Sequence, residues 1–313
     1  MMTSNIDSQL DRIAARFSSQ EIAAFFDNTV FIVAAPRSGS TLLFQLLSHS
    51  PDIWTISSES HRVYAQFPQL PSPRNATRSG RLDASHADGA TSTKMRLIYL
   101  ALLQSHDGEP LMKAIEGGGT RKFVFLEKTP RNSLNIAFLL KVFPKARFIF
   151  LHRDPRENIS SLIEGWAIGA KTGQFVTSRR LPDWPLNIWC FLLPPGWEEM
   201  RGKPVPEIAA FQWRACNEKI MHDLAQLPDS RHMTLSYDEL LRSTGKTIKK
   251  ICDFGHFKMD QSLYDTVTKP LPLSSTTASK PVKDKWRQRE TEILQVMPEA
   301  TATLKKIEAF RRG

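Results

Sequence analysis

The sequence predicts an α/β fold in which a mostly parallel β-sheet carries helices on both faces. Short runs of apolar and β-branched residues alternate along the chain with segments that have helical spacing. These runs lack apolar–polar alternation, so each indicates a strand that is buried on both faces. Hydrophobic residues make up 41% of the 313 residues and charged residues 24%, which is ordinary for a globular protein.

The first 28 residues predict two amphipathic helices. Apolar residues recur at spacings of three and four over residues 10–17, with Asp7 or Ser8 as the cap. A second, short helix is predicted over residues 19–26. The apolar faces of these helices either pack on the chain's own core or dock on a partner, and we favour the first interpretation.

Four strands follow, each with a helical segment after it. They are predicted at residues 29–35, 122–126, 147–151 and 232–235. Helices are predicted at residues 42–47, after Pro130, after Pro155 and at residues 237–241. A strand, a tight glycine-containing turn and a helix form the unit that binds phosphate in doubly wound folds.

Two segments interrupt this alternation. Residues 71–93 contain few large apolar side chains and predict a long flexible loop or lid. Residues 167–206 are rich in tryptophan and proline, and this insertion either shapes an acceptor pocket or forms a satellite core. Because no linker separates domains, we predict one elaborated domain over residues 1–313.

Several classes of protein are disfavoured by simple counts. No apolar stretch reaches the roughly 20 residues of a membrane span, and the amino terminus lacks the apolar region of a secretory signal. The three cysteines, Cys190, Cys216 and Cys252, are far apart in sequence, which favours neither a zinc site nor a disulfide scaffold. These features predict a cytoplasmic protein.

The chain is basic, with 42 Lys and Arg against 32 Asp and Glu, a net charge of +10. Such a balance fits nucleic acid, an anionic membrane, an acidic protein or a phosphorylated small molecule. The basic residues are spread along the chain, and no aromatic–basic motif for nucleic acid is present. We therefore expect no nucleic-acid partner.

The loop after the first strand is P-loop-like but departs from a Walker A loop. Aligned on Gly39, it has Ala34 in place of the first glycine, Ser40 in place of the lysine, and Thr41 at the last position. In a Walker A loop this lysine reaches the β- and γ-phosphates of a triphosphate. Because the lysine is absent here, a kinase-like function is disfavoured. Backbone amides at the helix start and Arg37 still suit another anion. The alternative is a turn that only connects two buried elements.

Residues 36–43 resemble the 5′-phosphosulfate-binding loop of sulfotransferases that use 3′-phosphoadenosine 5′-phosphosulfate (PAPS). The variant is closest to the tyrosylprotein, heparan and bacterial Sulfotransfer_3-type branches of that family. A second stretch, residues 147–161, resembles the family's strand ending in Arg with a Ser eight residues later. There Arg153 and Ser161 match the pair that binds the 3′-phosphate. The resemblance spans about residues 31–286, most of the chain.

The resemblance implies PAPS as the cofactor, the nucleotide PAP as its product, and no required metal ion. Tyr237 matches the tyrosine at the adenine end of the cofactor, and Lys285, before Trp286, best matches the lysine of the closing loop. Lys280 and Lys283 remain alternatives to Lys285. The implied cofactor-binding residues are Arg37, Ser38, Gly39, Ser40, Thr41, Arg153, Ser161, Tyr237 and Lys285.

Sulfuryl transfer to a hydroxyl needs a general base and donors that neutralise charge on the sulfuryl group and the leaving phosphate. Glu59 matches the glutamate base of the tyrosylprotein and heparan branches, and His61 is a competing base. Lys128 matches the lysine at the bridging oxygen, with Arg37 on the other side of the phosphosulfate. The alternatives are a solvated loop carboxylate for Glu59 and, for Lys128, an ion pair with Glu127 or another nearby carboxylate.

The acceptor is less well defined by the sequence. Residues 183–185, 192–197 and 212–213 resemble the sulfotransferase domains of curacin and olefin-synthase assembly lines. That resemblance implies the β-hydroxyl of an acyl chain tethered to a carrier protein, and an acidic carrier would suit a basic surface. A free small-molecule alcohol or a tyrosine is the alternative acceptor. A non-catalytic nucleotide-binding module is the alternative from another class.

Overall fold

The structure, a computed structural model, describes residues 2–72, 79–118, 122–179, 181–277 and 282–312. The strands are β1 Thr29–Val33, β2 Ile53–Trp54, β3 Val124–Glu127, β4 Arg147–His152, β5 Val176–Ser178, β6 Trp189–Cys190 and β7 His232–Ser236. The α-helices are α1 Met2–Arg16, α2 Ser19–Ala24, α3 Ser40–Leu47, α4 His61–Tyr64, α5 Gly89–Leu102, α6 Leu111–Glu116, α7 Ile136–Val142, α8 Pro155–Thr172, α9 Val205–Leu224, α10 Tyr237–Arg242, α11 Thr244–Gly255, α12 Gln261–Thr268 and α13 Glu290–Phe310. Short 3-10 helices lie at Ala84–His86, Pro130–Leu134, Trp197–Met200, Asp229–Arg231 and Lys285–Arg289.

Five strands form one parallel sheet in the order β2–β3–β1–β4–β7. In β1 the side chains alternate between two separate apolar cores: Phe31 belongs to one, and Val30 and Ile32 belong to the other. One core is closed mainly by α1, α5, α7, α8, α9 and α13, and the other by α3, α10, α11 and α12. The prediction of a parallel sheet with helices on both faces is confirmed.

The predicted strands are present with ends shifted by at most two residues. β2 was not predicted, because a strand of two residues is too short to show a periodicity. The prediction that α1 starts at Asp7 or Ser8 is wrong, since the helix begins at Met2. No proline or glycine precedes Asp7, so nothing in the sequence ends the helix there. Ile13 and Phe17 are buried in the chain's own core, as favoured above.

The predicted loop at residues 71–93 is shorter than expected. Residues 73–78 lie outside the described residues, so the lid remains a prediction. Asp88 caps α5 by accepting a hydrogen bond from Thr91 N at 2.7 Å, which starts a helix where the polar composition predicted a loop. Leu82 is buried in the core, so the end of this segment is fixed by packing.

The aromatic insertion, predicted at residues 167–206, is also shorter, because 167–172 continue α8 and α9 begins at Val205. Between them β5 and β6 form an antiparallel pair over a separate apolar core that contains Trp166, Trp189 and Trp197. Other side chains of the same segment line the large cavity described below. The satellite core is therefore confirmed, and the acceptor pocket remains a prediction.

All three cysteines are buried and free, and burial raises the pKa of each thiol to about 12. None of the helices in the described ranges is both long and apolar enough to cross a membrane. Within the same residues no group of three or more His, Cys, Asp and Glu side chains is arranged to hold a metal ion.

Candidate active site

The backbone conformation of the loop between β1 and α3 restricts which residues can occupy it. Arg37 and Gly39 both have positive φ, 68° and 92°. A Cβ added to Gly39 would lie 2.2 Å from a ring carbon of Tyr237, so the aromatic ring is in direct contact with the glycine backbone. α3 begins at Ser40, and Gly39, Ser40 and Thr41 at its start line the cavity. The first amides of a helix have no partner within the helix and commonly bind anions.

Asn158, which the sequence did not single out, fixes this loop. Its side-chain amide lies 2.7 Å from Ser38 Oγ, and both side chains are buried. Ser38 was predicted to bind the cofactor, but its side chain faces Asn158 and does not line the cavity. Asn158 lies five residues after Arg153 in the second motif, and that adjacency was the available signal.

A first cluster joins three separate parts of the chain. Lys128, directly after β3 and 5% exposed, donates to Glu59 Oε1 at 2.6 Å and to Thr41 Oγ1 at 3.1 Å. His61 Nε2 lies 3.0 Å from Glu59 Oε2. The structure therefore brings together Glu59, His61, Lys128 and Thr41. Lys128 does form an ion pair, and its partner is Glu59 rather than Glu127.

The Glu59 carboxylate is charged at neutral pH. Burial by itself raises its pKa, but the hydrogen bond from His61 and the charge and hydrogen bond of Lys128 outweigh burial and lower the pKa to about 2. The carboxylate also lines the cavity, so Glu59 presents an anionic acceptor of hydrogen bonds to a bound molecule.

A buried network behind this cluster holds the Glu59 segment against β3. Glu127, 1% exposed, accepts hydrogen bonds from Ser60 Oγ at 2.6 Å, from Asn132 Nδ2 at 2.5 Å and from Thr129 Oγ1. Thr129 Oγ1 in turn accepts from Ser60 N at 2.8 Å. Burial raises the pKa of Glu127. Because Ser60 follows Glu59 and Glu127 precedes Lys128, these bonds set the spacing of the ion pair.

A second cluster surrounds Arg37. Its Nε donates to Ser161 Oγ at 3.1 Å, and its Nη1 donates to the Thr276 carbonyl at 2.7 Å. Arg153 donates to the Arg37 carbonyl at 3.2 Å and lies 5.2 Å from the centre of the Tyr237 ring. The predicted residues Arg37, Arg153, Ser161 and Tyr237 are thus neighbours. The polar contacts of the Arg37 guanidinium belong to this cluster, not to the Glu59–Lys128 pair.

The carboxyl-terminal segment completes the second cluster. Lys285 Nζ donates to Glu164 Oε1 at 2.8 Å, and Lys283 and Lys285 both line the cavity. Lys280 lies outside the described residues. Glu164 was not predicted, although it stands one helical turn after Ser161 on α8.

One continuous cavity of about 1150 Å³ connects the two clusters. This volume is above the roughly 300–1,000 Å³ that is usual for a single small-molecule site. Beyond Glu59 and His61 its walls are mainly apolar and aromatic, with contributions from Tyr64, Phe67, Leu70, Leu134, Phe191 and Leu193. The cavity therefore has a polar, cationic part around Arg37 and an apolar part beyond Glu59, whose side chain lines it.

The sequence and the fold both resemble those of known proteins. The sequence profile of the sulfotransferase family matches residues 29–189, just over half of the chain. Protein-tyrosine sulfotransferase 1 of Danio rerio is 31% identical over 139 residues, 43% of this chain and 35% of that protein. The chain thus spans about a third of the length of the curated relatives that it matches first.

Solved structures resemble the whole fold at low sequence identity. Sulfotransferase STF9 from Mycobacterium avium has a TM-score of 0.54 and 15% identity, covering 95% of this chain and 81% of that one. The sulfotransferase domain from the curacin biosynthetic pathway has a TM-score of 0.46 and 16% identity, covering 85% of this chain and 96% of that one. At 15% identity the STF9 likeness concerns the fold alone.

Proposed function

The chain belongs to the sulfotransferase family, and from this we propose that it transfers a sulfuryl group from PAPS to a hydroxyl acceptor with Glu59 as the general base. The observation that carries the proposal is the position of Lys128. This buried cation contacts both Thr41 at the start of α3 and the Glu59 carboxylate. One side chain thus contacts both the start of α3, where an anion can bind, and Glu59, which can accept a proton.

The residues of the second cluster fit a nucleotide with several phosphates. The cavity is lined by the start of α3, by Arg37 and Arg153, and by Lys283 and Lys285. Arg153 and Ser161 would hold the 3′-phosphate and Tyr237 the adenine end, as the family resemblance implies. When bound, PAPS supplies an activated sulfuryl group. Fixed cations can neutralise the charge that a divalent ion neutralises in phosphoryl transfer, so we include no metal ion.

Glu59 and Lys128 have complementary tasks in this proposal. Glu59 accepts the proton of the acceptor hydroxyl, and Lys128 neutralises negative charge that develops near Thr41. While Lys128 stays paired with Glu59, the pKa of the carboxylate is held at about 2 and its basicity is low. Any movement of Lys128 Nζ away from Glu59 removes one of the interactions that lower this pKa, and Glu59 becomes a stronger base.

The acceptor is a hydroxyl-bearing molecule that occupies the apolar part of the cavity. Two sources fit a hydroxyl at Glu59: the β-hydroxyl of an acyl chain on a carrier protein, or a free small-molecule alcohol or tyrosine. For a tethered chain, the acidic carrier protein would bind to the basic surface of the enzyme. A non-catalytic nucleotide-binding module, the rival function, would need Arg153 and Ser161 but not the Glu59–Lys128 pair.

Glu59→Gln is the test of this function. In an assay of PAP release from PAPS over a panel of alcohols, tyrosine peptides and β-hydroxyacyl carrier proteins, we expect turnover to fall by at least about 100-fold. PAP affinity should stay within about two-fold, because Glu59 lies outside the second cluster. His61→Gln should cost less than about ten-fold, since His61 acts only through Glu59.

Glu116→Gln is the matched control, because Glu116 is an exposed glutamate that pairs with Arg16 at the surface. Wild-type turnover in Glu59→Gln would refute Glu59 as the base. Loss in His61→Gln with activity kept in Glu59→Gln would assign the base to His61. PAP binding without turnover in the wild type, over the whole panel, would support the non-catalytic module.

A further inference from the structure

Among the described residues, the apolar part of the cavity contains one cation, Arg131, that the two clusters do not use. It lies in the 3-10 helix directly after Lys128 and Thr129, and it lines the cavity. Its guanidinium stacks on the Tyr64 ring, 4.3 Å from the ring centre. Tyr64 stands one turn after His61 on α4, so Arg131 is on the same side of the cavity as His61.

Arg131 has no anionic partner among the described residues. Its Nη2 donates to the carbonyls of Pro71, at 2.7 Å, and Gly80, at 3.4 Å. Its Nε is sealed from solvent and has no hydrogen-bond partner in the described part of the chain. Burial has the largest effect on the Arg131 guanidinium and lowers its pKa, while Tyr64 and Tyr99 act in the opposite direction. Burial also raises the pKa of both phenols, so at neutral pH they are uncharged and supply no counter-charge.

Glu127, the buried carboxylate nearby, is not the anionic partner of Arg131. Asn132 lies between Glu127 and Tyr64: its Oδ1 accepts from the Tyr64 hydroxyl at 2.7 Å, and its Nδ2 donates to Glu127. Glu127 is already occupied by donors from Ser60, Thr129 and Asn132. Buried charges in proteins are normally paired. Arg131 lines the cavity and has no ion pair with any described residue, so an anion bound in the cavity is the counter-charge that remains available.

We propose that Arg131 recognises a carboxylate on the acceptor. This inference rests on the proposed sulfuryl transfer and names the class of acceptor: a hydroxylated amphiphile. Its hydroxyl lies at Glu59, its apolar body lies against Phe67, Leu134 and Leu193, and its carboxylate pairs with the Arg131 guanidinium. A guanidinium gives charge-assisted hydrogen bonds to a carboxylate.

A carboxylate fits better than a phosphate or a neutral thioester. A phosphate monoester carries about −1.5 to −2 charges, while Arg131 supplies a single positive charge. The other Arg and Lys side chains that line the cavity, Arg37, Arg153, Arg156, Lys283 and Lys285, belong to the cofactor side. A carrier-bound acyl thioester without a further acidic group would leave Arg131 unpaired, so the inference favours a free hydroxy acid.

The test compares two probes that differ only in charge, 10-hydroxydecanoate and its methyl ester, by calorimetric titration of the protein–PAP complex. In the wild type we expect the acid to bind roughly ten-fold more tightly or better, as charge-assisted hydrogen bonds give. In Arg131→Gln the affinity for the acid should fall to that for the ester, and the ester should change by less than about two-fold. Arg131→Lys should keep part of the preference.

Arg62→Gln is the matched control, because Arg62 is an exposed arginine on the same helix α4 and does not line the cavity. It should keep the full preference for the acid. Equal affinities for acid and ester in the wild type would overturn the inference, as would no binding of either probe. Equal weakening of both probes in Arg131→Gln would show that Arg131 only holds Pro71 and Gly80.

A third probe, 10-hydroxydecyl phosphate, tests the choice of anion, and tighter binding of the phosphate than of the acid would contradict a carboxylate. PAP binding is measured first and separately. Failure of PAP to bind counts against sulfuryl transfer, whereas PAP binding without a preference for the acid counts only against the role of Arg131.

Discussion

At the scale of single residues, the proposed function depends most on Lys128, whose single ammonium group makes two contacts in the site. It is nearly buried, and it binds a hydroxyl of the phosphate loop and the candidate base at once. A buried ammonium costs free energy unless it is well paired. Its attraction to Glu59 contributes part of that pairing, and an incoming anion near Thr41 would compete with Glu59 for the same ammonium.

Replacing Lys128 by Met should therefore have two effects. Turnover should fall by about 10²–10³-fold, as when one stabilising donor is removed from an active site. The pKa of Glu59, now about 2, should rise towards its usual range, because a cation that lowers it is gone. The acidic limb of the kcat/KM profile should then move to higher pH.

Lys145→Met controls for the loss of a positive charge, since Lys145 is exposed and pairs with Asp27 at the surface. An acidic limb at the same pH in Lys128→Met and the wild type would contradict the coupling between Lys128 and Glu59.

Single site residues were predictable where a motif lies beside a strand end. Lys128 and Arg153 directly follow β3 and β4, and Ser161 lies on α8, the helix after β4. Glu59 was assigned from the family resemblance. Ser38 was assigned from its position in the loop, but its side chain turns to Asn158. The Glu127 network joins residues about 70 positions apart, and no spacing in a single sequence reveals such a contact. Arg131 escaped notice because its missing partner is visible only in three dimensions.

At the scale of elements, the β1–α3 loop depends on the ring of Tyr237 at the start of α10. Gly39 combines positive φ with a ring in contact with its backbone, so a side chain here is strained in two ways. Tyr237 must move if Gly39 gains a Cβ. The wall of the nucleotide part of the cavity would then move with it.

Gly39→Ala should accordingly weaken PAP binding by roughly ten-fold or more, measured by calorimetry, while the protein stays folded. Gly89→Ala is the matched control: Gly89 opens α5, its φ lies outside the left-handed region, and an added Cβ meets nothing within 4 Å. Unchanged PAP affinity in Gly39→Ala would show that the contact between Gly39 and Tyr237 does not shape the nucleotide site.

The order of strands and helices was predictable, whereas their ends were less so. Buried parallel strands give continuous apolar runs that are easy to recognise. The start of α5 at Gly89 and the extension of α8 into the insertion depend on a cap and on packing against the tryptophan core. β2 has two residues and exists because it pairs with β3, which is a long-range contact.

At the scale of the whole molecule, stability should depend on pH through His152 at the end of β4. The residue is 7% exposed, and neither ring nitrogen has a partner among the described residues. Burial first, and then the charge of Arg311, lowers its pKa to about 4, although Glu239 acts in the opposite direction. The folded protein therefore holds His152 neutral where an unfolded chain would protonate it.

The sign follows from proton linkage. As pH falls from the usual histidine pKa towards about 4, the unfolded state binds more protons, so the free energy of unfolding decreases by at most about 3 kcal/mol. His152→Leu should remove this part of the decrease. Urea unfolding at about pH 7 and about pH 5 measures it, and an equal decrease in wild type and variant would contradict the role of His152.

The net charge of +10 has a partial explanation at this scale. Five Arg and Lys side chains line the nucleotide part of the cavity, and Arg131 lines the acceptor part. Many of the remaining basic residues form exposed ion pairs such as Lys145–Asp27 and Arg16–Glu116, which contribute little to stability. The charge therefore fits anionic small molecules, and the sequence count alone could not separate them from nucleic acid.

Titration with PAP in the presence of EDTA tests the central claim most directly. We expect the wild type to bind PAP without Mg²⁺ and to bind neither ATP nor duplex DNA comparably. Arg153→Ala should weaken PAP binding by roughly ten-fold or more, because it removes charge-assisted hydrogen bonds to a phosphate. No binding of PAP, Mg²⁺-dependent binding of ATP in preference to PAP, or an unchanged PAP affinity in Arg153→Ala would contradict the account.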